Sequence, residues 1–244
     1  MKRFVVCWED RYFEGLDAVL RRIRRHENAS LLPEPAIKPE TVGGYGGFAD
    51  YVRRDWAVAR RRGMPGFGVP DYLFCVADAD RATEVCQGIS ANPTGNTEDW
   101  CEEASQIWTD SLRGLAAQES ERIFGFFLRW SRESVLIAGF DEFDMIAMLS
   151  NGDASLHERE YKAFLQSCQP DPRSVERFVD AYTKPSRCFE GLAKAVGHER
   201  LRKTDPKVED ALKQFPRDPS VSLLSRLPDL VHIAQEINRL SEVS

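Results

Sequence analysis

Apolar positions along this chain follow two rhythms. Residues 3–8 (Arg-Phe-Val-Val-Cys-Trp), 72–77 (Tyr-Leu-Phe-Cys-Val-Ala) and 123–128 (Ile-Phe-Gly-Phe-Phe-Leu) are apolar at nearly every position. Such short runs, rich in β-branched and aromatic side chains, predict strands buried on both faces, as in the centre of a parallel sheet. Between the first two, Phe13, Leu16, Val19, Leu20 and Ile23 recur at helical spacing over residues 10–26, with arginines on the opposite face. Residues 28–48 hold three prolines and end in Gly43-Gly44-Tyr45-Gly46-Gly47, which predicts a loop. A second helix is expected over 48–62, stopped by Gly63, Pro65, Gly66, Gly68 and Pro70. A third runs from Asn96 or Thr97, either of which can cap it, to about Gln118. A fourth covers 132–150 with an interruption at Gly139.

From Asn151 onward the pattern is helical and more polar. Helices are expected near 155–168, 172–183, 186–197, 205–214 and 228–241. Asp205-Pro206 reads as a helix start, with Asp at the cap and Pro in the first turn. Arg217-Asp218-Pro219 reads as another start. Strands alternating with helices make this an α/β chain. The expected division is an α/β domain over 1–150 and a helical C-terminal extension over 151–244.

Composition narrows the setting. The 244 residues suffice for a full core, and 42% hydrophobic content is ordinary for a globular chain. No apolar run approaches the roughly 18 residues of a membrane span. The opening residues read as a strand rather than a secretory signal, so a cytoplasmic location is expected. None of the six cysteines is spaced Cys-x-x-Cys, which argues against a structural zinc site. The net charge of -6 excludes a uniformly basic nucleic-acid binder. Arginine is nevertheless concentrated at 21, 22, 24 and 25 and again at Arg53, Arg54, Arg60, Arg61 and Arg62. Such local patches can bind phosphate on an acidic protein.

Candidate chemistry sits where the apolar runs stop. The 72–77 run leads straight into Asp78-Ala79-Asp80, and the 3–8 run into Glu9. Acids at the C-terminal ends of buried parallel strands face the crevice where α/β proteins bind ligands. Two aspartates one residue apart repel each other, and a divalent cation offsets that repulsion. Mg²⁺ prefers such hard oxygen ligands. The competing structural reading makes Asp78 a turn cap, Asp80 a solvated side chain and Glu9 a carboxylate at a helix N-terminus. The Gly cluster lacks the Lys-Ser/Thr ending of a P-loop, though its glycines permit close backbone approach.

The ordered set Val5-Val6-Cys7-Trp8-Glu9, then a helix, then Phe74-Cys75-Val76-Ala77-Asp78-Ala79-Asp80 resembles the TOPRIM domain. That fold is shared by topoisomerases, bacterial primases, OLD-family nucleases and RNase M-type maturases. A third stretch, Phe126-Phe127-Leu128-Arg129-Trp130-Ser131-Arg132-Glu133-Ser134-Val135-Leu136-Ile137, is similar to the strand-to-Glu-helix element of small bacterial TOPRIM-like proteins. The resemblance spans roughly residues 3–140. Where that family carries Gly after its first Glu, this chain has Asp10. The resemblance implies a Rossmannoid sheet of mostly parallel strands flanked by helices. It implies Mg²⁺- or Mn²⁺-dependent hydrolysis of phosphodiesters in DNA or RNA, in the manner of a bacterial antiviral defence nuclease. Asp78, Asp80 and Glu133 would hold the metal, and Glu9 would be a further ligand or a general base. Arg53, Arg54, Arg60, Arg61, Arg62 and Arg132 would face the nucleic acid. Expected partners are an ATPase or another protein and a second copy of the chain, with no membrane.

The same residues admit other classes. Asp-x-Asp after a buried strand also binds Mn²⁺ and a diphosphate in nucleotide-sugar glycosyltransferases, but leaves Glu9 unexplained. A dehalogenase-type phosphatase would place the motif near the N-terminus. A Ser-His-Asp hydrolase would need Gly-x-Ser-x-Gly. A non-catalytic TOPRIM-like core that binds nucleic acid or recruits a partner is the remaining alternative.

Overall fold

Four parallel strands in the order β2-β1-β3-β4 form the sheet of the described residues. They are β1 (Arg3–Trp8), β2 (Ala36–Thr41), β3 (Tyr72–Asp78) and β4 (Ile123–Leu128). All three pairings are parallel. The computed structural model describes residues 1–30, 33–79, 82–86, 89, 97–116, 118–129, 132–139, 154–167, 185–195, 197 and 205–242. The α/β class and the parallel sheet flanked by helices are therefore as expected. Val6 lies opposite Phe74 and Cys7 opposite Cys75, with every one of these side chains buried, which is why β1 and β3 read as unbroken apolar runs.

β2 falls inside the stretch expected to be a loop. Its sequence, Ala-Ile-Lys-Pro-Glu-Thr, has one buried side chain, Ile37. It is an edge strand, and Pro39, opposite Val6, is tolerated there because an edge has one side with no ladder to complete.

One face of the sheet packs Val5, Cys7, Leu73, Cys75, Ala77, Ile123 and Phe127 beneath two helical layers. The first is a continuous helical run over 47–62. It comprises α2 (Gly47–Asp50), a π-helical segment (Tyr51–Trp56) and α3 (Ala57–Arg62), and it buries Phe48, Val52 and Trp56. After the short α4 (Ala82–Val85) comes the second, α5 (Thr97–Leu115), which buries Trp100, Cys101, Ala104, Trp108 and Leu112.

The opposite face packs Phe4, Val6, Trp8, Phe74, Val76, Phe126 and Leu128 under α1 (Glu14–Glu27) and α6 (Arg132–Ala138). The C-terminal helices join the same core. They are α7 (Ala154–Ser167), α8 (Pro185–Ala195), α9 (Pro206–Leu212), α10 (Val221–Ser225) and α11 (Pro228–Glu242). Phe189, Leu212, Phe215, Leu223, Ile233 and Ile237 are buried in one cluster with the sheet residues. The described residues after 151 are largely helical, as expected, and the core they build is continuous with that of the sheet. Arg24 on α1 donates to Asn238 on α11 at 3.4 Å, and Asn238 returns a hydrogen bond to the Arg24 carbonyl at 3.2 Å. The helix expected over 172–183 lies outside the described residues, as does the part of the fourth helix beyond Gly139. No helix among the described residues is long and apolar enough to cross a membrane.

Candidate functional site

The strand order decides where the acids meet. From β1 the chain turns one way to β2 and then crosses to the other side for β3, so the boundary between β1 and β3 is a topological switch point. In open parallel sheets the crevice for ligands opens there, at the C-terminal ends of the strands. Glu9 follows β1 and Asp78 ends β3. The Glu9 amide donates to the Val76 carbonyl at 3.0 Å, which continues the ladder one step beyond the strand. The Asp78 amide donates to Glu9 Oε2 at 3.1 Å. The first-strand acid and the first aspartate of the Asp-x-Asp pair are thus in direct contact. Both are partly open to solvent.

Two elements frame this pair. The loop from β2 to the helical run carries the Gly cluster, and the Gly44 amide donates to the Glu9 carbonyl at 2.9 Å. Gly43 and Gly44 have φ of 67° and 131°, which only glycine adopts readily. A Cβ on Gly47 would lie 2.5 Å from the Val42 carbonyl oxygen. The loop's amides point inward: Gly43 donates to Thr41 Oγ1, Gly47 to the Gly44 carbonyl and Phe48 to the Tyr45 carbonyl. Gly43 and Gly44 therefore serve the turn's backbone conformation and Gly47 its close approach to Val42. Beside Glu9 they leave an open hollow of about 420 Å³. Asp10, standing where a TOPRIM domain carries Gly, is absorbed locally. Its Oδ1 accepts the Tyr12 amide at 3.0 Å and its carbonyl accepts the Thr41 hydroxyl at 2.9 Å.

Glu133 lies in the first turn of α6, just past the end of β4, and is buried at 2% exposure. β4 is the strand beside β3, with Leu128 opposite Asp78, so α6 begins at the same edge of the sheet. Among the described residues, however, no three carboxylate, histidine or cysteine side chains gather closely enough to hold a metal ion. Glu9 and Asp78 form a pair, and Glu133 is not brought into one cluster with them. Asp80 and the side chain of Arg132 lie outside the described residues.

The arginines divide by position along their helix. Arg53 and Arg54 are exposed on the π-helical segment. Arg60, Arg61 and Arg62 close α3, roughly 20 Å along the helix from the Gly loop at 1.5 Å per residue. Arg60 is committed to structure: it donates to the Glu119 carboxylate and to the Pro70 carbonyl, and it lies over the Trp56 ring. Arg61 and Arg62 are exposed at that same far edge of the sheet.

Two features at the C-terminal ends of the strands were not legible in the sequence. One is the ion pair between Arg129, directly after β4, and Asp229 in the first turn of α11. Asp229 Oδ2 accepts the Arg129 amide at 2.7 Å and Oδ1 accepts its guanidinium at 2.9 Å. Burial pushes the Asp229 carboxyl above the ordinary range, and Arg129 pulls against that shift. The signal available was a charged residue closing an apolar strand, but its partner is 100 residues away. The other is β2, which leads directly into the loop that lines the hollow. No family model, curated protein or solved structure matches the chain.

Proposed function

We propose that the chain is a divalent-metal-dependent phosphodiesterase acting on nucleic acid, with Glu9 and Asp78 at its centre. The observation that carries the reading is their contact at the switch point of a parallel sheet. Mg²⁺ takes one or two carboxylates and fills its remaining positions with water and substrate phosphate oxygens. Glu9 and Asp78 are a donor set of that chemistry, with Asp80 as the third acid that the Asp-x-Asp spacing supplies. A cation bound there would supply Lewis-acid polarisation of a phosphate oxygen. The chain's own residues do the rest. The pairing of β1 with β3 brings Glu9 beside Asp78, and the Asp78 amide orients one oxygen of Glu9. The glycine-rich loop leaves room beside them for a sugar-phosphate backbone. Arg53 and Arg54, exposed on the helical run that follows the loop, are the cations that would neutralise neighbouring phosphates. Glu133 ranks below them in this reading, because it is buried and does not form one metal-holding group with the pair.

The test combines metal titration with cleavage assays on the full-length protein. Wild type is expected to bind Mn²⁺ by calorimetry and to cleave DNA or RNA with Mg²⁺ or Mn²⁺. Asp78→Asn and Glu9→Gln are expected to lose Mn²⁺ affinity by more than about tenfold and to lose cleavage. Their melting temperatures should stay near wild type, because both side chains are partly exposed. Unchanged Mn²⁺ binding in Asp78→Asn would remove the metal site from the proposal. Mn²⁺ binding with no cleavage of any nucleic acid would turn the reading toward a binding component.

A further inference from the structure

β4 is the last strand of the sheet among the described residues, yet its outer edge has no open hydrogen-bonding group from the Ile123 carbonyl to the Arg129 amide. In a parallel strand the N–H and C=O of alternate residues point the same way. The backbone groups of Phe124, Phe126 and Leu128 point toward β3, so those of residues 123, 125, 127 and 129 point outward. Each outward group meets a side chain. Arg113 Nε donates to the Ile123 carbonyl at 3.0 Å. The Thr109 hydroxyl accepts the Gly125 amide at 2.8 Å and donates to the Gly125 carbonyl at 3.3 Å. Ser105 Oγ accepts the Phe127 amide at 3.3 Å, and the Cys101 thiol donates to the Phe127 carbonyl at 3.7 Å. Asp229 takes the Arg129 amide.

Four of these five side chains come from α5 at every fourth position: Cys101, Ser105, Thr109 and Arg113. The spacing has a geometric reason. Four residues of α-helix advance about 6.0 Å and two residues of strand about 6.6 Å, so the two repeats stay in step over this length. Gly125 lets the helix come close enough, since a Cβ there would sit 2.8 Å from Trp108 Cε3.

We infer that α5 acts as a surrogate fifth strand: its polar stripe, completed by Asp229, closes the β4 edge against strand addition by a second copy of this chain. An uncovered edge is a template for pairing with another chain. Here that template is answered in full from within the protein.

Amide hydrogen exchange followed by NMR tests the inference residue by residue. In wild type the Gly125, Phe127 and Arg129 amides should exchange slowly despite lying on an edge. Thr109→Val, which keeps the shape and removes the hydroxyl, should speed exchange at Gly125 about tenfold or more. Ser105→Ala should do the same at Phe127. Thr109→Ser, which keeps the hydroxyl, should leave Gly125 protected. The double variant Ser105→Ala/Thr109→Val should form larger species as concentration rises in light-scattering chromatography, while wild type and Thr109→Ser keep one size. Wild-type exchange rates at Gly125 and Phe127 in the hydroxyl-free variants would overturn the inference. So would a double variant whose size is independent of concentration. Should Thr109→Val fail to fold, Ser105→Ala decides through Phe127, because Ser105 is only partly buried.

Discussion

Glu119 has φ of 53°, the only positive value at a non-glycine position among the described residues. A left-handed backbone costs a side-chain-bearing residue about 1 kcal/mol or more. What offsets it here is Arg60, whose guanidinium grips both carboxylate oxygens, with Arg122 at 3.6 Å. The hydrogen bonds from Arg60 hold the Glu119 carboxyl below its ordinary range. A carboxyl whose folded pKa is depressed contributes stability that is present above its unfolded pKa and is lost as pH falls through the folded one. Glu119→Gln should therefore melt lower than wild type near pH 7, by about 1 kcal/mol or less because the pair is partly solvent-screened. The gap should close as pH drops below about 4. Thermal melts of both proteins from pH 3 to 8 check this, and a constant gap would mean that the charge of Glu119 is immaterial. The same contact explains why sequence reading of the arginine cluster was incomplete. A clustered arginine looks like a phosphate ligand until its partner, 59 positions away, is known.

Between elements, α5 is fitted closely to β4. Trp108 stacks on Phe127 at 4.8 Å and meets Phe48 edge-on at 5.1 Å, so its ring has little room to retreat from a new group on Gly125. Gly125→Ala should cost about 1–3 kcal/mol of stability through overpacking, read as a lower urea midpoint with an unchanged slope. Elements with one dominant cause were legible in the sequence. β1, β3 and β4 are short because their apolar runs are short, and α5 begins at Thr97 where a cap residue precedes the amphipathic pattern. β2 was not legible, because an edge strand with Lys38, Pro39 and Glu40 has neither an apolar run nor a clean alternation. The π-helical segment was equally hidden, since nothing in Tyr-Val-Arg-Arg-Asp-Trp distinguishes it from an α-helical turn. Of the site, Glu9 and Asp78 could be named from where runs end. Their convergence was expected only if the two apolar strands were neighbours, and that pairing of β1 with β3 across the intervening β2 segment could not be read from the sequence.

At the scale of the whole molecule, the boundary near residue 150 separates two styles of sequence but not two cores. α11 lies against α1 and β4, and Ile233, Ala234, Ile237 and Leu240 share a cluster with Phe4, Val6 and Phe126. Polar contacts follow the same route: Lys213 reaches Glu14 at 2.6 Å, Glu209 Oε2 accepts the Gly15 amide at 2.7 Å, and Asp229 holds the end of β4. A Cβ on Gly15 would lie 2.5 Å from Leu212 Cβ, so α1 and α9 are fitted to one another at backbone range. The sequence hides this because an amphipathic helix shows that it has an apolar face and says nothing of what that face covers. The consequence is that residues 1–204 should not fold alone. Removing 205–244 uncovers the α1 side of the sheet and strips Val208, Leu212, Phe215, Leu223, Leu230, Ile233 and Ile237 from the core. At about 1.5–3 kcal/mol for each large buried side chain, that loss is as large as the whole 5–15 kcal/mol by which a native protein is stable. Truncated protein should lack a cooperative urea transition by circular dichroism and should bind a hydrophobic dye. A truncated chain that melts cooperatively would show instead that the acid-bearing sheet is a self-sufficient unit and that the C-terminal helices are an addition to it.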